Sequence, residues 1–217
     1  MQKLSLRFVV AFIICAAGSV LFGYVASIIR NKSIENFDTS IIAFVQGMES
    51  PWLTPIMQAF TWIGSGYVVA TVTVIGFILL FFVYRYRQQA FLLVTVIAGT
   101  VLLNGLLKVY FKRERPEIHR IMDAPGFSFP SGHTMMAFSL YTILAYIAWR
   151  NVKTATGRTL LVLSAGLMIT LIAGSRIYLG VHYPSDIVGG IAASAFWVTI
   201  VISVYGLYQQ QKTTSRQ

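Results

Sequence analysis

KVYFKRERPEIHRIMDAPGFSFPSGH, residues 108–133, is a polar island in an apolar chain. It holds five of the seventeen Lys and Arg residues and two of the three histidines, with Pro and Gly throughout. Apolar runs long enough to cross a bilayer lie on both sides. The third histidine, His182, sits in a shorter interruption, SRIYLGVHYPSD, residues 175–186. The contrast decides the fold: two polar stretches meet at one face of a membrane, and the rest of the chain is made for lipid.

Composition agrees. Of 217 residues, 56% are hydrophobic and only 11% charged, and mean hydropathy is +0.70. A soluble domain carries roughly 25% charged residues. Apolar runs of about 20 residues recur, each able to span roughly 30 Å of hydrocarbon. The net charge of +10 points to membrane topology and to anionic lipid or phosphate ligands. It does not point to nucleic acid, because the basic residues are scattered between spans. The lone Cys15 has no disulfide partner in the chain and reads as packing, and no Cys/His cluster has metal-ligand spacing. Lys3 and Arg7 precede an apolar run that passes Ala16-Ala17-Gly18 and continues to Ile29. That run is too long for a typical signal-peptide core and reads as an uncleaved first span.

The chain is expected to be an all-α polytopic membrane protein with six transmembrane helices and a short interfacial helix between the first two. The spans are placed at 4–29, 67–84, 90–107, 131–149, 159–179 and 185–208. Residues 33–50 set Glu35, Asp38 and Glu49 among Ile41, Ile42, Phe44 and Val45, the pattern of an amphipathic helix with Asp38 or Thr39 near its cap. Residues 52–63 form a helical lead-in to the second span, broken from it by Gly64-Ser65-Gly66. No repeat or linker marks a boundary, so residues 1–217 read as a single membrane-embedded domain.

Six spans put both termini on one side. That side holds nine basic residues (Lys3, Arg7, Arg85, Arg87, Arg150, Lys153, Arg158, Lys212, Arg216) and the other side eight. Lys108, Arg115 and Arg176 have a chemical reason to be where they are. Without them the ratio is nine to five, which places the termini in the cytoplasm and both polar stretches outside it.

Arg176 follows the apolar Leu171-Ile172-Ala173-Gly174. An arginine in a bilayer core costs on the order of 2.5–3.5 kcal/mol, so it either snorkels or faces the bundle interior and pairs with an anion. Pro130-Ser131-Gly132-His133 opens a helix, whose first amides and dipole favour an anion. Gly132 permits close approach there, and Ser131 adds a hydroxyl. His182 and Asp186 lie four apart around Pro184, so the carboxylate can orient the imidazole and raise the basicity of its other nitrogen. Lys108 and Arg115 bracket the start of the long polar stretch, with Lys112, Arg113 and Arg120 close by, all of which could equally be headgroup contacts. Taken together, cations around an anion cradle with two histidines are what phosphoryl transfer needs.

At these residues the chain resembles the type 2 phosphatidic acid phosphatase (PAP2) superfamily. That signature is Lys, six residues, Arg-Pro; then Pro-Ser-Gly-His; then Ser-Arg, five residues, His, three residues, Asp. Lys108 through Arg115-Pro116, Pro130–His133, and Ser175-Arg176 with His182 and Asp186 match it without a gap. The size is similar to that of bacterial lipid phosphatases of the phosphatidylglycerophosphatase B type.

The resemblance implies a metal-free, cofactor-free lipid phosphatase of a bacterial plasma membrane. His182 would attack phosphorus, oriented by Asp186, and His133 would protonate the leaving alkoxide. Lys108, Arg115, Ser131, Gly132 and Arg176 would hold the phosphate. The implied substrate is a membrane lipid phosphate: phosphatidylglycerol phosphate, phosphatidic acid or undecaprenyl pyrophosphate. His119 has no place in the signature and reads as a loop histidine. Two other readings use the same cradle. One is a vanadium haloperoxidase, which would be soluble; the other is a non-catalytic lipid binder, expected to lack His182 or Asp186.

Overall fold

The computed structural model describes residues 2–117 and 119–214. Among them the regular elements are helical: α1 (Gln2–Arg30), α2 (Glu35–Gln46), α3 (Leu53–Ile63), α4 (Gly66–Ile78), α5 (Arg87–Phe111), α6 (Gly132–Trp149), α7 (Ala155–Tyr178) and α8 (Pro184–Thr214). A π turn, Leu79–Val83, prolongs α4. Five stretches are long and apolar enough to cross a membrane: α1 from Val9, α4 with its π turn, α5, α7 and α8 to Lys212. The sixth expected span corresponds to α6. It has 18 residues, opens on Gly132-His133-Thr134, and packs against α4, α5, α7 and α8. Protein rather than lipid covers it, so its polar residues are tolerated.

Large apolar side chains such as Phe12, Val20, Leu102 and Leu163 face outward. In water that would be a liability, whereas lipid accepts it. The core lies between α4, α5, α6 and α8, where Val69, Leu93, Val96, Leu140, Ile143 and Val198 meet. Within the bundle, Thr100 Oγ1 donates to Ser139 Oγ at 2.8 Å, joining α5 to α6. The expected packing role of Cys15 agrees with its position: its Sγ lies 3.9 Å from the Phe196 carbonyl, where α1 runs along α8.

The short elements gather at one end. α2 is amphipathic, with Phe37 and Phe44 exposed and Ile42 packed on Ala173, Ile177 and Ile187. Neither Asp38 nor Thr39 caps it. The helix begins at Glu35 after Ile34, which makes no side-chain capping bond. Thr39 Oγ1 bonds back to the Glu35 carbonyl at 2.7 Å. Asp38 is buried and turned inward, because stronger donors wait there. α3 is a separate helix, and Ser65 caps the start of α4 by accepting from the Val68 amide. Tyr178 fastens α3 to α7: its hydroxyl lies 2.9 Å from Thr54 Oγ1 and accepts from the Ser50 amide at 3.2 Å.

Gly99 lets α5 and α8 approach. A Cβ there would fall 1.9 Å from the Trp197 ring, whose Nε1 donates to the Val96 carbonyl at 3.0 Å. Gly105 on the same helix has open space around it. Gly99→Ala is expected to cost about 1–3 kcal/mol by overpacking. Gly105→Ala should be neutral or gain up to ~1 kcal/mol of helix propensity. Thermal unfolding in detergent compares the two.

Candidate active site

The antiparallel run of the helices brings the C-terminal ends of α5 and α7 together with the N-terminal ends of α6 and α8. Lys108 lies in the last turn of α5 and Arg176 in the last turn of α7. Ser131 caps α6, and Asp186 lies in the first turn of α8. The two polar stretches therefore share one end of the bundle.

At its centre is His182, 1% exposed. Its Nδ1 lies 3.1 Å from Asp186 Oδ2, and its Nε2 lies 3.2 Å from Arg115 Nη1. A carboxylate only accepts and a guanidinium only donates, so the partners set the tautomer: Nδ1 carries the hydrogen and Nε2 keeps its lone pair. Burial pushes the His182 pKa down to about 4; Asp186 opposes the shift by hydrogen bond and charge, and Arg176 and Arg115 add to it. The imidazole is therefore neutral at neutral pH.

Arg115 is itself buried and pinned by carbonyls. Nε donates to Gly126 at 3.0 Å, Nη2 to Pro125 at 3.0 Å, and Nη1 to Val181 at 2.7 Å. It ties the two polar stretches together. Burial lowers its pKa, with Asp186 opposing and Arg120 adding to the effect.

Ser131 Oγ accepts from the Thr134 amide at 3.4 Å and from Thr134 Oγ1 at 3.0 Å, which leaves its own hydroxyl hydrogen free to donate. The Ser131 amide donates to the Asp186 carbonyl at 3.1 Å, joining the starts of α6 and α8. A Cβ on Gly132 would fall 2.9 Å from Asn104 Oδ1, so the Asn104 side chain on α5 would have to move aside for any larger residue there. Arg176, 2% exposed, donates Nη1 to Thr61 Oγ1 on α3. Its Nε is buried without a hydrogen-bond partner among the described residues. His133 is half-buried and lies within electrostatic reach of Arg176, His182, Lys108 and Arg115. Lys108 is within reach of Arg115, Arg176 and Asp186. All eight expected residues thus belong to one neighbourhood.

Other residues joined them without being expected. Arg113, grouped in the sequence with headgroup contacts, donates Nη1 to Asp186 Oδ1 and to Ser185 Oγ, both at 2.7 Å. Its Nη2 donates to Asp38 Oδ2 at 2.8 Å. Asp38 also accepts from the Ser185 amide at 2.9 Å and the Ser185 hydroxyl at 2.7 Å, so it caps α8 from α2. The one available signal was an acidic residue in register with Ile42 and Val45 on the apolar face of α2. Nothing comparable marked Thr61. His119 lies apart, paired at 2.9 Å with Glu49 in an exposed contact.

Residues 89–209 match the PAP2 superfamily. The chain belongs to that superfamily. It is 30% identical over 173 residues to phosphatidylglycerophosphatase B of Bacillus subtilis, covering 79% of this chain and 84% of that one. It is 31% identical to the putative undecaprenyl-diphosphatase YbjG of Escherichia coli, over 49% of this chain and 52% of that one. The crystal structure of a transmembrane PAP2-type phosphatidylglycerolphosphate phosphatase from Bacillus subtilis superimposes with TM-score 0.80 at 26% identity, covering 90% of this chain and 96% of that one. Aquifex aeolicus LpxE superimposes with TM-score 0.58 at 27% identity, covering 77% and 94%. The all-α fold and the phosphatase class expected from the signature both stand.

The His182 environment sets a titration. In 15N-histidine spectra of the detergent-solubilised protein, the His182 imidazole is expected to stay neutral through pH 6 and to take up its proton near pH 4, against about 6.5 for a free histidine. Asp186→Asn should lower that value further, because the carboxylate favours the charged ring.

Proposed function

We propose that this PAP2-type lipid phosphatase acts through His182, in a single membrane-embedded domain over residues 1–217. Nε2 attacks phosphorus, an N–P bond forms, and the P–O bond to the lipid breaks. His133 gives its proton to the departing oxygen. Water then attacks the phosphohistidine and returns a proton to His133, the N–P bond breaks, and inorganic phosphate leaves. Asp186 holds the ring and stabilises the positive charge that develops on it.

The observation that carries this reading is the buried His182 held between Asp186 and Arg115 with its Nε2 lone pair turned to the cations. Lys108, Arg115 and Arg176 surround the position that phosphoryl oxygens would take, with Ser131 and the Gly132 amide at the helix start. The unpaired Nε of Arg176 is a donor in need of such an oxygen. Three cations, two of them held by partners (Arg115 by carbonyls and Arg176 by Thr61), supply the charge stabilisation that the transition state requires, so the reaction runs without a metal.

The lipid enters sideways between helices while its phosphate stays at the interface. The substrate is phosphatidylglycerol phosphate or undecaprenyl pyrophosphate, the lipids of two relatives' names, or phosphatidic acid, which the three-part signature implies. With Lys108, Arg115 and Arg176 set aside, the sequence has nine basic residues on the side of the termini against five on the other, which supports cytoplasmic termini and an extracytoplasmic site in a bacterial plasma membrane.

Phosphate release from these lipids in detergent micelles with EDTA tests the reading. Activity is expected with EDTA present and should vanish in His182→Ala. His133→Ala should fall sharply on lipid substrates and less on esters with good leaving groups, which need no proton. Vanadate should inhibit. Metal dependence, or full activity of His182→Ala, rejects the mechanism. Comparing kcat/KM for a monophosphate and a pyrophosphate lipid in the same micelles selects the substrate.

A further inference from the structure

Asp186 has two carboxylate oxygens, and His182 uses only one. Oδ2 takes His182 Nδ1 at 3.1 Å and the Tyr183 amide at 2.9 Å. Oδ1 takes Arg113 Nη1 at 2.7 Å. A carboxylate held at one oxygen can still swing about its Cβ–Cγ bond, whereas one held at both cannot. Arg113 is in turn held from three directions. Its Nη2 meets Asp38 at 2.8 Å, its Nη1 also meets Ser185 Oγ at 2.7 Å, and its guanidinium carbon stacks 4.0 Å from the Tyr183 ring centroid. Its terminal nitrogens meet two carboxylates, so its charge is already matched, whereas Arg115 meets only carbonyls and the His182 ring.

We propose that Arg113 is a positioning residue that fixes the Asp186 carboxylate, and through it the His182 ring, and that α2 anchors this clamp through Asp38. The inference rests on the phosphohistidine reading above and deepens it. Without Arg113, Asp186 keeps its bond to the ring but loses the partner that fixes its plane. An uncompensated carboxylate also remains fully buried beside Ser185. The cost falls on the step in which His182 becomes positively charged, not on the grip on phosphate.

Hydrogen bonds to charged groups of this kind correspond to about a 10- to 100-fold effect. In the full-length protein in micelles, with phosphatidic acid as substrate, Arg113→Gln is expected to lower kcat by that factor. KM and the inhibition constant for vanadate should stay within about twofold. Arg113→Lys should recover part of the rate, since an ammonium can reach one carboxylate. In an Asp186→Asn background, Arg113→Gln should add little, because the group it positions is gone.

A rise in KM and in the vanadate constant instead of a fall in kcat would make Arg113 a phosphate ligand and overturn the proposal. So would a loss that merely tracks the folded fraction seen in thermal melts, or full additivity with Asp186→Asn. Asp38→Asn, which keeps shape and hydrogen bonding to Ser185, serves if Arg113→Gln does not fold; a kcat equal to wild type there overturns the role of α2. Full activity of His182→Ala would sink the phosphohistidine reading itself and is a separate result from the Arg113 series.

Discussion

A buried carboxylate must be neutralised on every side or it destabilises what surrounds it. Asp186 meets that constraint with its whole residue. Its oxygens bind His182, the Tyr183 amide and Arg113, and its backbone carbonyl takes the Ser131 amide. The start of α8, the start of α6 and both polar stretches therefore converge on one fully buried group. Arg115 makes the second tie, joining the carbonyls of Pro125, Gly126 and Val181. The site is stiff because the same contacts that close the loops also orient the ring.

Burial sets the chemistry as much as the contacts do. His182 loses solvent and stays neutral, and its Nε2 lone pair faces the Arg115 guanidinium. The cations near it are fixed by carbonyls and by Thr61, so little reorganisation accompanies the arrival of charge. The surrounding surface is apolar and outward-facing, and a lipid can bring its phosphate to the end of the bundle without leaving the membrane.

How much of this could be read from residues alone differs by position. His182, Pro184 and Asp186 are local to one helix start, and Pro130–His133 to another, so spacing suggested each set and the joint signature singled them out. Lys108, Arg115 and Arg176 were recoverable through the three-part signature, since each taken singly could be a headgroup contact or a snorkelling anchor. The helices followed from long apolar runs, with boundaries shifted by a few residues: α5 runs to Phe111 and carries Lys108 inside its last turn. Asp38 offered only its register on the apolar face of α2, which names no partner. It is 147 residues from Ser185, and its local pattern pointed to a cap on its own helix. Arg113 was indistinguishable from its basic neighbours, because which arginine turns inward depends on the path of the loop. Thr61 shows nothing until α3 is docked on α7.

The polar, enclosed character of α6 also bears on how the chain reaches its place. A segment that opens on Gly132-His133-Thr134 and carries Ser139 brings side-chain polar groups that bare hydrocarbon cannot satisfy. Its partners Thr100 and Asn104 are on α5, already delivered. Stable residence of α6 then depends on pairing with the preceding helix, and it is completed only when α7 and α8 emerge to cover the other faces. The polar end of α6 thus gains its remaining walls only once the last two helices have been made.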